Sequence, residues 1–113
     1  MQKLLLAALC LLSPTLYAGT STSGVITGFS PYSSGTTQII LFKTSTLANT
    51  PACNFTQRFA MNSNNPRFAN TVSAVMAAYA AGKPVQVKGL DTCNVWGNAE
   101  DLDYICVGDM PCW

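Results

Sequence analysis

The side chains best suited to chemistry in this 113-residue sequence are four cysteines that lie beyond its N-terminal segment: Cys53, Cys93, Cys106 and Cys112. A Cys-x-x-Cys motif would favour thiol redox chemistry, and closely spaced cysteine and histidine ligands would favour a zinc site. The sequence has neither spacing and contains no histidine. An even number of cysteines in an exported chain is typical of structural disulfides, and four cysteines allow three pairings.

The pairing we prefer joins Cys53 to Cys93 and Cys106 to Cys112. The second bridge would close a short loop in which Gly108 and Pro111 favour a turn. It would also fix a C-terminal tail that otherwise frays.

Other catalytic or metal-binding side chains are sparse. Without histidine there is no Ser-His or Cys-His pair to activate a nucleophile. A glycosidase needs two carboxylates that face each other across a cleft, whereas four of the five acidic residues lie between Glu100 and Asp109. This acidic segment also lacks the glycine-punctuated aspartate ladder of a calcium loop. We therefore predict a protein that is not an enzyme and has neither a metal nor a cofactor.

Two aromatic residues, Tyr32 and Trp96, lie in polar segments between predicted strands, and Asn98 adds an amide near Trp96. An aromatic face flanked by hydrogen-bonding groups is typical of sugar recognition, because the ring stacks on the pyranose and the polar groups bind its hydroxyls. The alternative interpretation is that Trp96 covers the end of the fold beside Cys93. Both interpretations stay open at the level of sequence.

Residues 1–18 have the three parts of a signal peptide: basic Lys3, an apolar run, and a small-residue ending at Ala18. The apolar run is too short to span a bilayer. We predict cleavage after Ala18, a single domain over residues 19–113, export to the periplasm or beyond, and no membrane span.

Charge is balanced once the leader is removed. The whole chain has 6 Lys and Arg and 5 Asp and Glu, and removal of Lys3 leaves 6 − 1 = 5 of each sign. A nucleic-acid-binding protein needs a basic patch that neutralises phosphates. A neutral domain with isolated lysines therefore predicts no nucleic-acid partner.

The polar and aromatic candidates must be positioned by a series of short elements. Strands are predicted over residues 24–30 and 37–44, the second with both faces covered. Residues 31–35 are predicted to form the turn between them. A third strand is indicated by Phe55, Gln57, Phe59 and Met61, which alternate with polar or small residues.

A helix follows the third strand. Asn65 is suited to cap it, Pro66 to occupy its first turn, and Gly82 to end it. Its apolar stripe consists of Phe68, Val72, Val75, Met76 and Tyr79. Strand four is predicted over residues 84–88, with Val85 and Val87 facing inward, and strand five over residues 101–107.

Three strands, a helix and two more strands in under a hundred residues predict a mostly β fold with one helix, a five-stranded OB-like barrel. The main alternative is an α+β sheet with the helix on one face. In an OB-like barrel the loop between strands one and two and the loop between strands four and five lie on the ligand side. Tyr32 and Trp96 would therefore share one end of the barrel.

Two segments, residues 23–27 (SGVIT) and residues 79–85 (YAAGKPV), together with the cysteines, resemble small exported proteins of Gram-negative bacteria. These proteins are similar to the B subunits of subtilase-type and pertussis-like AB toxins. The resemblance implies a ring-forming subunit that binds cell-surface sialoglycans, with Ser23 as the match to the strand-one serine of the sugar site. It does not extend to Gly89, where an aromatic residue is expected after strand four.

The sequence thus predicts an exported, non-enzymatic binding module. Its ligand would be a cell-surface glycan or receptor, bound through Ser23, Tyr32, Trp96 and Asn98. The toxin-like resemblance adds the expectation of a homo-oligomer. The alternative is a periplasmic protein-interaction domain whose partner is another protein. An A-subunit gene beside its own would favour the first function.

Overall fold

A computed structural model of the protein describes residues 21–113, so the predicted signal peptide over residues 1–18 lies outside the described part of the chain. The strands and the helix follow one another in the predicted order: β1 (Ser21–Ser34), β2 (Thr37–Thr44), β3 (Phe59–Asn62), α1 (Phe68–Ala81), β4 (Pro84–Gly89) and β5 (Glu100–Val107). A mostly β fold with one helix is therefore confirmed.

The five strands form one sheet that closes on itself in the order β1-β2-β3-β5-β4. Closure depends on β1, whose first part pairs with β4 and whose remainder pairs with β2. The change of partner falls between Val25 and Ile26, and a register shift between Ile26 and Gly28 follows directly after it. The β3 and β5 strands pair in parallel, and the other neighbours are antiparallel.

The first strand is longer than the predicted residues 24–30. Residues 31–34 were predicted to belong to a turn, but they continue the ladder with β2 as far as the pair Ser34 and Thr37. The reversal needs only Gly35, at φ 61°, and Thr36. A two-residue hairpin is the tightest connection between antiparallel strands, and the positive φ suits glycine. Tyr32 consequently lies on a strand instead of in a loop.

The third strand is shorter than predicted, because the alternating pattern before Phe59 belongs to turns. The side chain of Asn54 is buried, and its Oδ1 accepts the backbone N–H of Arg58 at 3.0 Å. Gln57 has a left-handed φ of 57°, and Phe55 is 76% exposed. The prediction of a half-buried strand through these residues was wrong, since a local Asn hydrogen bond competes with the ladder.

The helix ends as predicted at Gly82, whose φ of 63° lets its N–H bond the carbonyl oxygens of Ala78 and Tyr79. Its start differs: Asn65 and Pro66 precede it in a turn, and the helix begins at Phe68 without a side-chain cap. The predicted apolar stripe is confirmed for Val75, Phe68 and Val72, which are in or against the core, and is wrong for Met76 and Tyr79.

The buried helix positions are Thr71, Val75 and Ala78, whereas Met76 and Tyr79 are each 49% exposed. Small residues face the core because α1 packs closely against β1 and β5.

Both faces of β2 are buried, as predicted. Ile40 and Phe42 point into the main core with Phe59 and Val75, and the rings of Phe42 and Phe59 lie 5.4 Å apart. The opposite face forms a second cluster: Ile39, Leu41, Ala60 and Ala99, covered by Val95 and Trp96. The β4–β5 connection therefore folds over the outside of the sheet.

Two disulfides cross-link the chain in the pairing that we preferred, Cys53 to Cys93 and Cys106 to Cys112. The first joins the β2–β3 connection to the β4–β5 connection, and the second fixes the C-terminal tail to β5. Such bridges are typical of proteins that fold in an oxidising compartment. No helix within residues 21–113 has the length and hydropathy that a bilayer-spanning helix requires.

Candidate functional site

Tyr32 and Trp96 meet on the surface of the protein. Their ring centroids lie 5.0 Å apart at an interplanar angle of 82°, an edge-to-face contact between residues 64 positions apart in the sequence (96 − 32 = 64). Tyr32 is 50% exposed. Trp96 is partly buried against the second cluster, formed by Ile39, Leu41, Ala60 and Ala99, which we call the outer cluster. The Trp96 ring therefore covers the outer face of the sheet and also contacts Tyr32.

A groove of about 430 Å³ borders Tyr32 and separates the β1–β2 hairpin from the start of α1. We call it the hairpin groove. Its apolar lining includes Pro31, Ile40, Phe68 and Val72, and its polar lining includes Ser33 and Gln38. The half-exposed phenol of Tyr32, the hydroxyl of Ser33 and the amide of Gln38 thus line the groove together with these apolar residues.

The β4–β5 loop, residues 90–99, is hydrogen-bonded to a buried carboxylate, that of Asp101. Asp101 is 6% exposed, and its oxygens accept the backbone N–H groups of Asn94 at 2.9 Å and Val95 at 2.8 Å. It also accepts the hydroxyl of Thr92. Its own backbone bonds Thr92 and Leu90. The backbone N–H of Val95, the residue that immediately precedes Trp96, is thereby bonded to the start of β5.

Asn98, predicted to bind ligand, is part of the loop's support. Its Oδ1 accepts Nη2 of Arg58 at 2.8 Å, and its backbone oxygen accepts both the N–H and the hydroxyl of Thr56. These bonds join the β2–β3 connection to the part of the β4–β5 loop that follows Trp96 in the sequence. Both carbonyl oxygens of Asn98, in its side chain and in its backbone, are accordingly hydrogen-bonded within the protein.

Ser23 lies in a different place. It pairs with Gln86 near the start of β1, whereas Tyr32 pairs with Ile39 near its end. Nine residues of strand separate them, which corresponds to at most about 30 Å. The exposed Ser23 lines a second groove of about 360 Å³ together with Gln86, Asp109 and Met110. The four predicted ligand-binding residues therefore do not form one site.

Gly89 is required by the side chain of Glu100. A Cβ atom at Gly89 would collide with the Glu100 carboxylate, which is fully buried. That carboxylate accepts the backbone N–H of Asp91 at 3.0 Å and the hydroxyl of Thr50 at 3.3 Å. The space next to β4 is thus filled by Glu100, and an aromatic residue cannot replace Gly89 while Glu100 keeps its position.

Sequence reasoning missed the roles of Glu100 and Asp101. The sequence did indicate that one of the two acids faces inward, because adjacent residues of a strand have side chains on opposite faces. Their partners are backbone N–H groups of the loop, however, and no residue pattern identifies these. Ser33 was missed because it was assigned to a turn, and Gln38 was missed because nothing distinguished it within the second predicted strand.

Within residues 21–113 no group of three or more His, Cys, Asp or Glu side chains could hold a metal ion. Comparisons of the chain with models of protein families, with curated proteins and with solved structures found no match.

Proposed function

We propose that this chain is an exported, non-enzymatic binding module that recognises carbohydrate at the hairpin groove and the Tyr32–Trp96 pair. One observation carries the proposal: two aromatic residues from distant parts of the chain meet beside a groove that also carries a hydroxyl and an amide. Stacking on an aromatic face together with a few directional hydrogen bonds is how proteins bind sugars.

The strand order supports an OB-like assignment of the fold. Five strands close in the order β1-β2-β3-β5-β4, and the helix lies between β3 and β4. In OB barrels the loops that follow strands one and four flank the ligand surface. Tyr32 and Trp96 come from the β1–β2 hairpin and the β4–β5 loop, which fits that surface.

The engagement of the acidic side chains supports a non-enzymatic role. Glu100 and Asp101 are adjacent in the sequence, and both are buried with carboxylate oxygens that accept backbone N–H groups. A carboxylate used in this way does not face a substrate. The binding of ligand, without its conversion, is therefore the function we infer.

The toxin-like resemblance adds a more specific version of the proposal, in which the protein is a ring-forming B-subunit-like receptor-binding protein, periplasmic or secreted. Ser23 would then bind a sialoglycan in the second groove. The filled space at Gly89 favours the hairpin groove instead, since an aromatic platform beside β4 is excluded. A periplasmic protein-interaction domain is the alternative function.

A glycan array probed with the oxidised protein tests the proposal, with sialylated and neutral glycans included and with the molar mass measured by light scattering. Tyr32→Ala should weaken binding about tenfold, which corresponds to ~1.4 kcal/mol. We choose Tyr32 because Trp96 also covers the outer cluster, so its removal would lower stability as well.

Tyr79→Ala is the matched control. Tyr79 is 49% exposed and makes a similar edge-to-face contact, with Phe29 at 5.5 Å, on a helix away from the hairpin. It should leave binding unchanged. A protein that binds no glycan would refute the carbohydrate proposal and favour the protein-interaction alternative. Binding that is lost in Ser23→Ala but retained in Tyr32→Ala would move the site to the second groove.

A further inference from the structure

The loop residues that precede Trp96 in the sequence are bonded to a buried acid. The Asp101 carboxylate receives hydrogen bonds from Thr92, Asn94 and Val95, three of the five residues that precede Trp96. A carboxylate is an acceptor only, so it suits a site where every neighbour donates. These bonds define the path of the loop up to Trp96.

The loop residues that follow Trp96 in the sequence are held by different contacts. Arg58 donates to the side chain of Asn98, Thr56 donates to its backbone oxygen, and Ala99 N–H bonds the Trp96 carbonyl oxygen at 3.0 Å. The loop is also tethered to the β2–β3 connection by the disulfide at Cys93. Residues 97–99 therefore have several supports, whereas the segment from Thr92 to Val95 is held by the Cys93 disulfide, by the bonds to Asp101 and by the packing of Val95 on the outer cluster.

We infer that Asp101 is the positioning residue of the proposed binding surface: its buried carboxylate sets the loop conformation in which Trp96 supports Tyr32. The inference rests on the proposed function only in that it treats this surface as a ligand-binding site. The conformational statement itself concerns residues 92–96 and is measurable without a ligand.

Asp101→Asn tests the inference, because an amide keeps one acceptor oxygen in place of two and removes the charge that strengthens the bonds from the loop N–H groups. Asp103→Asn is the matched control: Asp103 lies two residues further along β5, and its partner is the exposed Arg67 at 3.1 Å. Both variants are made in a Trp113→Phe background, in which Trp96 is the remaining tryptophan of the two.

Amide hydrogen exchange and Trp96 fluorescence are the measurements. In Asp101→Asn the amides of Asn94 and Val95 should exchange at least tenfold faster, and the Trp96 emission should shift to longer wavelength. The amides of Ile40 and Val87 in the core strands should change much less. Asp103→Asn should resemble the parent in each respect.

Three results would overturn the inference: unchanged exchange at Val95, the same effect in Asp103→Asn, or an equal acceleration at Val95, Ile40 and Val87, which would indicate only a global loss of stability. If Asp101→Asn does not fold, Thr92→Val decides, since it removes one donor to Asp101 and should accelerate exchange at Asn94 several-fold. No local effect in that variant would also refute the inference.

Glycan binding separates the two proposals. If the loop responds as expected but the parent protein binds no glycan, the proposed function fails and the positioning role stands. If the parent binds glycan and Asp101→Asn binds equally well despite a mobile loop, the loop conformation does not matter to the site and the inference fails.

Discussion

Substitution of Gly89 by alanine should destabilise the protein far more than one methyl group would ordinarily do. The new Cβ would occupy the position of the Glu100 carboxylate. Glu100 has no exposed surface and bonds Asp91 and Thr50, so its side chain cannot swing into solvent without losing these partners.

The magnitude follows from the two ways in which the structure can respond. If the backbone shifts, overpacking costs about 1–3 kcal/mol. If the carboxylate moves, each lost hydrogen bond to a charged group costs about 1.5–3 kcal/mol. We therefore expect Gly89→Ala to lower the free energy of unfolding by about 2–5 kcal/mol.

Urea unfolding of the oxidised protein, followed by far-UV circular dichroism, measures this quantity, and an unchanged slope with denaturant confirms that only stability has changed. Gly28→Ala is the control, because it is also a strand glycine but a Cβ there meets no atom within 4 Å. Its stability should stay within about 1 kcal/mol of the parent or rise slightly.

A double-mutant cycle identifies the cause. In a Glu100→Ala background the collision disappears, so Gly89→Ala should cost less than about 1 kcal/mol there. The explanation would be refuted if Gly89→Ala cost the same in both backgrounds, or if it left the parent protein unchanged.

Two further predictions concern the core and the cross-links. Val75→Ala should cost about 2 kcal/mol because Val75 is fully buried, whereas Met76→Ala, at a position 49% exposed, should stay within about 0.5 kcal/mol; equal costs in thermal unfolding would contradict the assigned helix face. Replacement of Cys53 and Cys93 by alanine should cost about 4 kcal/mol and replacement of Cys106 and Cys112 about 2 kcal/mol, because the bridges span 40 and 6 residues and loop-closure entropy grows with length. The reverse order in urea unfolding would contradict the entropic explanation.

Local patterns in the sequence determined the features that depend on neighbouring residues. The bounds of β2 and the inward positions of Val85 and Val87 follow from apolar periodicity, and these positions are buried as predicted. The end of α1 at Gly82 follows from the conformational freedom of glycine. The element order was determined in the same way, since each signal is contained in a few adjacent residues.

Where hydrogen-bond partners that the residue pattern does not reveal compete with that pattern, only the tertiary structure decided the outcome. The alternation around Phe55 looks like a strand, but the buried side chain of Asn54 takes the backbone of Arg58 into a turn. The extra length of β1 was decided by β2 and β4, which pair with different parts of it.

The candidate site shows the same division. Its residue types were visible in the sequence, and the predicted OB-like arrangement of loops placed Tyr32 and Trp96 at one end. Their contact, the separation of Ser23 from them, and the roles of Glu100 and Asp101 depend on backbone groups that lie far apart until the sheet closes. Every residue carries the same backbone N–H group, so its hydrogen-bond partner is determined by the fold and not by the side-chain pattern.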